Sequence, residues 1–410
     1  MTLTVIIAFC ALLLVAYFFD LTSAKTRIPS VILLLFTGVA LKQATEFLNI
    51  NLPDFDAVLP VFGMIGLILI VLEAALELEL NRSKLPLIRK SFLGALFPML
   101  TITILLAAIF HYFGGYSLRL SLVNSVPISV ISSSIAISSV RNLSSDNKEY
   151  VVYESSFSDI LGVVLFNFVS FNKSYGAESF GHFGLQVFII MVITLVATII
   201  LAILLHRIEH HIKFVPIILL IILIYALAEV WHLPALIFIL LFGLFIGNID
   251  KLKRFKWSAS FNPGELHKEG VRFKEVTTEG AFLVKSLFFL IFGFSLETAQ
   301  ILETKTLWIS IVIAAIIYGL RFVQLKLSRL PVNPLLFVAP RGLITILLFL
   351  SIDASQRIGL VNESLVVKVI VITSLVMMFG MMFKPKKKAA PKIKDPLLPD
   401  EIPDEELENL

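Results

Sequence analysis

The 410-residue sequence predicts an all-α polytopic membrane protein with about 13 transmembrane helices, and three observations predict it. First, 58% of the residues are hydrophobic and only 16% charged, with a mean hydropathy of +0.93, which is far from a soluble domain. Second, apolar windows of about 17 to 25 residues recur along nearly the whole chain, each long enough to cross roughly 30 Å of hydrocarbon as a helix. Third, the loops between these windows alternate in their content of Lys and Arg. Nothing outside the windows is long enough for a soluble domain of any size.

The spans are expected near residues 3–19, 28–41, 57–76, 92–113, 118–140, 151–171, 183–205, 214–230, 233–249, 280–296, 307–325, 334–352 and 364–383. The first has no basic residue ahead of it and no small-residue cleavage site behind it, so it counts as a helix and not as a cleaved signal. With the amino terminus outside, roughly 25 basic residues fall in cytoplasmic segments against about five outside, a bias that one missed span would destroy. The carboxyl terminus is then cytoplasmic and the expected location is the cell membrane. The net charge of +4 is accordingly a topology signal and not a nucleic-acid surface. Cys10, the single cysteine, lies inside the first span, so neither an internal disulfide nor a cysteine-based metal site is expected.

The one long loop, Asp250 to Glu279, carries Trp257, Phe261 and Phe273 among its charges. It is either an amphipathic helix on the cytoplasmic face or a plain connector. The tail after Lys384 is basic, then Pro-rich, then acidic, a composition that buries no core and reads as disordered. The chain therefore divides into a transmembrane region, 1–383, and a tail, 384–410.

Two spans look interrupted. In the fifth, Pro127 precedes Ser129, Ser132, Ser133, Ser134, Ser138 and Ser139; in the twelfth, Pro340-Arg341-Gly342 breaks the apolar run. Each is the penultimate span of a six-helix half, with the seventh span as linker. Paired interruptions point to two inverted repeats whose discontinuous helices, 5 and 12, cross near the membrane midplane. A simple proline kink is the alternative.

The sixth span opens on Tyr153-Glu154-Ser155-Ser156-Phe157-Ser158-Asp159, two carboxylates and three hydroxyls where a spanning helix is ordinarily apolar. Ser155, Ser158 and Asp159 share one face. Glu154, five residues before Asp159, points about 140° away around the helix. The first group resembles a site for a hard monovalent cation, and a desolvated carboxylate holds a proton or a cation but not both, which is the simplest basis for exchanging them. An aspartate hydrogen-bonded between helices is the bland alternative. Glu73, late in the third span, is either a further ligand or an interfacial acid grouped with Glu77 and Glu79. Four bases also fall inside spans. Arg321 is expected to pair with Glu154, because an unpaired buried guanidinium is prohibitive. Arg341 sits in the twelfth-span break, where it neutralises helix ends or holds the crossing together; Lys285 is a candidate element of the ion path, and Lys368 is expected to snorkel.

Glu154-Ser155 followed by Ser158-Asp159 and Gly162 resembles the Glu-Ser-x-x-Asn-Asp-Gly signature of the sodium/proton exchanger family of monovalent cation:proton antiporters. Leu72-Glu73-Ala74-Ala75-Leu76-Glu77-Leu78 is similar to that family's third-helix stretch. Arg341-Gly342 matches its twelfth-helix Arg-Gly pair, and Arg321 falls where its eleventh-helix arginine belongs. The resemblance implies a homodimer with a six-helix core that moves past a dimerisation domain. It also implies that Asp159 binds cation or proton, that Ser155 helps coordinate, and that Glu154 pairs with Arg321. The chain departs from the pattern twice: Ser132-Ser133-Ser134 stands where the family has Thr-Asp-Pro, and Ser158 replaces the asparagine before the aspartate.

The expected activity is secondary antiport of protons against a monovalent cation, sodium bound at Asp159, by alternating access around that single carboxylate. The site residues are Asp159, Ser155, Ser158, Glu73 and Ser133, with Glu154 and Arg321 as a structural pair and Arg341 at the crossing. Partners are the cation, protons, the bilayer and a second copy of the chain; no cofactor and no nucleic acid are expected. Potassium/proton exchange or a non-transporting sensor on the same scaffold is the alternative. An intramembrane enzyme is disfavoured, because His111 and His206 lie at span ends and neither a Gly-x-Ser-x-Gly elbow nor a His-Glu-x-x-His site occurs.

Overall fold

A computed structural model describes residues 2–26, 28–48, 58–78, 82–140, 143–172, 176–207, 213–231, 233–249, 263–297 and 303–382. Among these the chain is helical throughout, without a strand. The helices are α1 (Thr2–Thr26), α2 (Ser30–Phe47), α3 (Leu59–Glu77), α4 (Leu85–Tyr112), α5 (Leu118–Ser129), α6 (Ser133–Ser139), α7 (Ser145–Phe171) and α8 (Ala177–Arg207). They continue with α9 (Phe214–Val230), α10 (Leu236–Gly247), α11 (Pro263–Ser295), α12 (Thr304–Leu327), α13 (Val332–Leu335), α14 (Leu343–Leu350) and α15 (Glu363–Met382). Nine spans among the described residues have the length and apolarity to cross a membrane, with α5 and α6 forming one of them. Shorter apolar helices at Phe9–Ser23, Phe214–Val230 and Leu236–Gly247, together with the interrupted α13–α14 stretch, bring the count to the thirteen expected.

The helices pack as two bundles. In one, α11 lies against α2 and α3, and α10 against α3 and α8; in the other, α4 packs on α5 and α7, and α12 on α15. The bundles meet where α3 touches α7 and α14, α10 touches α7, and α1 touches α6. Small residues permit the closest approaches. Gly38 of α2 faces the backbone of Leu290, Gly293 and Phe294 in α11, and Gly247 of α10 faces the Leu76 backbone in α3. Lipid-tail association offers little hydrophobic drive between helices, so close packing of this kind carries much of their adhesion.

One expectation needs correction. Residues 263–279 are neither a surface amphipathic helix nor a connector: they are the first half of α11, continuous with the tenth span. Phe273 is fully buried, its ring 6.2 Å from those of Phe214 and Phe242. The charges that mask this span in the sequence have partners on neighbouring elements, Glu269 with Lys213 at 2.6 Å and Lys274 with Glu77 at 3.6 Å. Trp257 and Phe261, and the tail 384–410, lie outside the described residues.

Candidate ion-binding site

Both interrupted spans break as their sequences suggest. Pro127, whose ring nitrogen has no hydrogen to donate, sits in the last turn of α5; Val130 and Ser132 are extended, and α6 restarts at Ser133. The second break runs from α13 through Pro340, Arg341 and Gly342 to α14. The two breaks cross in contact, the Ser132 N–H donating to the Pro340 carbonyl at 2.9 Å. A Cβ on Gly342 would stand 2.6 Å from Ser132 Oγ and 2.8 Å from Ile135 Cδ1, so glycine is what lets the backbones approach there.

Arg341 secures the crossing. Its side chain is fully buried; Nε donates to the Ile128 carbonyl at 2.6 Å, Nη1 to the Ala339 carbonyl at 3.0 Å, and its backbone N–H to Thr373 Oγ1 at 3.0 Å. The guanidinium thus caps the carbonyl end of α5, where the helix dipole is negative.

Asp159, 3% exposed, projects from α7 at this crossing. Its Oδ2 accepts the Ser133 N–H at 3.1 Å, at the start of α6, while Oδ1 has no partner among the described residues. Ser158, beside it, accepts the Ile131 N–H at 2.8 Å and so satisfies a donor that the break sets loose. Ser155 donates to the Val151 carbonyl at 2.7 Å, one turn back in its own helix, which leaves its oxygen lone pairs but not its proton for a ligand. Gly162, one turn further, would place a Cβ against the Val130 side chain, so its absence lets α7 lie close to the break.

On the other side of α7, Glu154 and Arg321 form a two-pronged ion pair, each 2% exposed at the side chain. Nη2 donates to Oε2 at 2.6 Å and Nη1 to Oε1. Tyr150 donates to Oε1 at 2.8 Å, and Gln324 Nε2 donates to the Tyr150 hydroxyl at 3.3 Å. Arg321 also donates to the carbonyls of Leu335 and Val338, both at 3.3 Å, tying α7 and α12 to the broken twelfth span. Sequence reasoning did not name Tyr150 or Gln324, although both were available to it: Tyr150 is four residues before Glu154 and Gln324 three after Arg321.

Glu73 makes no hydrogen bond to Asp159 among the described residues. It is partly buried on the wall of a cavity of about 230 Å³ between the bundles, with Asp20, Glu77, Thr278 and Lys285 on one side and Ser133, Ser134 and Ile137 of α6 on the other. Ser133 therefore links the two: its side lines the cavity and its N–H holds Asp159. Lys368, 8% exposed, donates to the Glu303 carbonyl at 2.7 Å and to the Thr306 hydroxyl at the start of α12, acceptors more than sixty residues away that its own sequence context does not reveal.

Two helix bundles with interrupted helices crossing at a buried carboxylate have the architecture of secondary transporters that carry their cargo between broken helices. The chain belongs to the sodium/hydrogen exchanger family: the family model described as the transmembrane part of the sodium/hydrogen exchanger matches residues 9–387. Cation:proton antiport across a membrane is accordingly its class of activity, and the chain is a multi-pass membrane protein. Its fold is similar to that of the sodium proton antiporter MjNhaP1 from Methanocaldococcus jannaschii. For the structure at pH 8 the identity is 19%, the TM-score 0.64, and the match covers 93% of this chain and 96% of that one. For an electron-microscopy structure of the same protein the values are 16% and 0.64, with 94% and 100% covered. No curated protein sequence gives a significant match.

Proposed function

We propose that the protein exchanges protons for sodium, with Asp159 the one carboxylate for which both compete. The observation that carries this reading is the half-satisfied state of Asp159. It is a buried acid whose Oδ2 accepts the Ser133 backbone N–H, with the Ser133 side chain beside the carboxylate and Oδ1 lacking a hydrogen-bond partner among the described residues. Burying a carboxylate in that condition is costly unless a proton or a cation completes it. Sodium is the cargo, with Oδ1 as its anionic ligand and the oxygens of Ser155, Ser158 and Ser133 as the candidates to complete its coordination. Glu73 belongs to the approach and not to the inner set.

The placement of the cavity between the bundles supports a reading of alternating access. Asp20 late in α1 and Glu77 at the end of α3 put its mouth on the side of the Lys- and Arg-rich loops, the cytoplasm when the amino terminus is outside. Movement of the bundle carrying α6 and α7 past the other would take Asp159 from one side to the other. A homodimer built on the stationary bundle is part of the same reading. Ser133, in place of the aspartate the family signature calls for, favours a second reading in which potassium is exchanged or the scaffold senses without transporting.

Dequenching of a pH-gradient dye in inverted vesicles, with sodium, lithium and potassium added in turn, tests all of this. Sodium or lithium should collapse the gradient at lower concentrations than potassium. A potassium-first order moves the assignment to the second reading, and silence with all three cations refutes exchange.

A further inference from the structure

Lys285 has no role in the exchange cycle as described, yet it is a basic residue in the cavity that leads to a cation site. Its position on α11 is eleven residues beyond Lys274, about 16 Å further along the helix. Lys274 is at the mouth, paired with Glu77 at 3.6 Å, and Asp20 accepts a hydrogen bond from Ser30 at 3.3 Å. The outer acids of the cavity thus have partners. Deeper in, Glu73 and Lys285 line the same space, together with Thr278. Among the described residues no ion pair within 4 Å joins them. They sit on the neighbouring helices α3 and α11, in the wall of a cavity that Ser133 and Ser134 also line.

An ammonium at this depth is costly without a partner, and Glu73 is the acid of the same cavity that neither Ser30 nor Lys274 engages. A metal cation entering the cavity carries the same charge as Lys285 and seeks the same carboxylate. We propose that Lys285 is a tethered competitor that sets the cation affinity of the site, holding Glu73 against incoming monovalent cations and returning to it as the cation moves on or leaves. The proposal rests on the reading of Asp159 and this cavity as the cation path. It has two sharp consequences. Because the competitor is the same whatever cation arrives, it lowers the affinity for sodium, lithium and potassium by one common factor and leaves their ratios unchanged. Because it acts through charge, arginine replaces it and a neutral side chain does not.

The test uses the full-length protein. Cation binding is titrated by thermal shift on detergent-purified protein, and KM by exchange in proteoliposomes. Lys285→Met is expected to bind each cation about tenfold more tightly, the scale set by one unit charge about 3 Å away across water or about 12 Å away at an effective dielectric of about 20. Lys285→Arg should stay near wild type, and Glu73→Gln/Lys285→Met should lose the gain. Lys285→Gln, with a polar head on the cavity wall, serves if the methionine variant does not fold. An unchanged or raised dissociation constant in the neutral variants overturns the proposal, as does an arginine variant that behaves like methionine. If the wild type exchanges cations and Asp159→Asn does not, such a result removes this inference alone. If the wild type neither binds nor exchanges any of the three cations, the functional reading falls and this inference with it.

Discussion

Asp159→Asn should abolish cation-dependent proton movement while leaving folding intact. The amide has the size of the carboxyl and keeps an oxygen to accept the Ser133 N–H now held by Oδ2 at 3.1 Å, so the crossing of the broken helices loses no hydrogen bond. What disappears is the charge. A neutral amide is also cheaper to bury than a half-satisfied carboxylate, so thermal stability in detergent should be equal to wild type or higher. Paired measurements of dequenching and of the unfolding midpoint read the two effects separately. Residual exchange near the wild-type rate would show that another group carries the cation.

The opposite separation is expected at Glu154. Here the carboxylate is the counter-ion of a guanidinium that is 2% exposed, and that guanidinium also holds the Leu335 and Val338 carbonyls of the broken twelfth span. Glu154→Gln leaves the positive charge buried without compensation, a change that costs about 3–5 kcal/mol. The expected result is a large fall in folded protein and in its unfolding midpoint, with any loss of transport following from that. Replacing both partners, Glu154→Leu with Arg321→Met, removes the uncompensated charge and should recover much of the stability, a coupling that a double-mutant cycle measures. If the single and double variants are equally unstable, the ion pair is not what holds α7 to α12.

The fold is largely readable in the sequence because a bilayer imposes length and polarity on each element separately. A window of apolar residues is a span whatever it packs against, and Pro127 or Pro340 weakens a helix through its own missing N–H. The electrostatics of Glu154 and Arg321 are readable for a related reason, since a guanidinium in hydrocarbon requires an anion and few are available. What stayed hidden depends on partners distant in sequence. Residues 263–279 look too charged to enter a bundle until Lys213 and Glu77 are placed beside Glu269 and Lys274. The acceptors of Lys368, the Glu303 carbonyl and the Thr306 hydroxyl, belong to another helix. The cavity joining Glu73, Lys285 and Ser133 belongs to no single helix; it exists because two bundles meet there. Ser133 illustrates the limit most clearly. Its side chain is a departure from the family signature, yet part of its contact with Asp159 is made by a backbone N–H that any residue but proline would supply.

The central claim is that proton and cation occupy one carboxylate in turn. Sodium-driven exchange should therefore be measured in proteoliposomes over a series of pH values with the membrane voltage recorded. Competition at Asp159 predicts that the apparent KM for sodium rises with proton concentration on the acid side, that the maximal rate at saturating sodium does not fall with it, and that no current accompanies exchange. A KM for sodium that is independent of pH, or a net current during turnover, would contradict it.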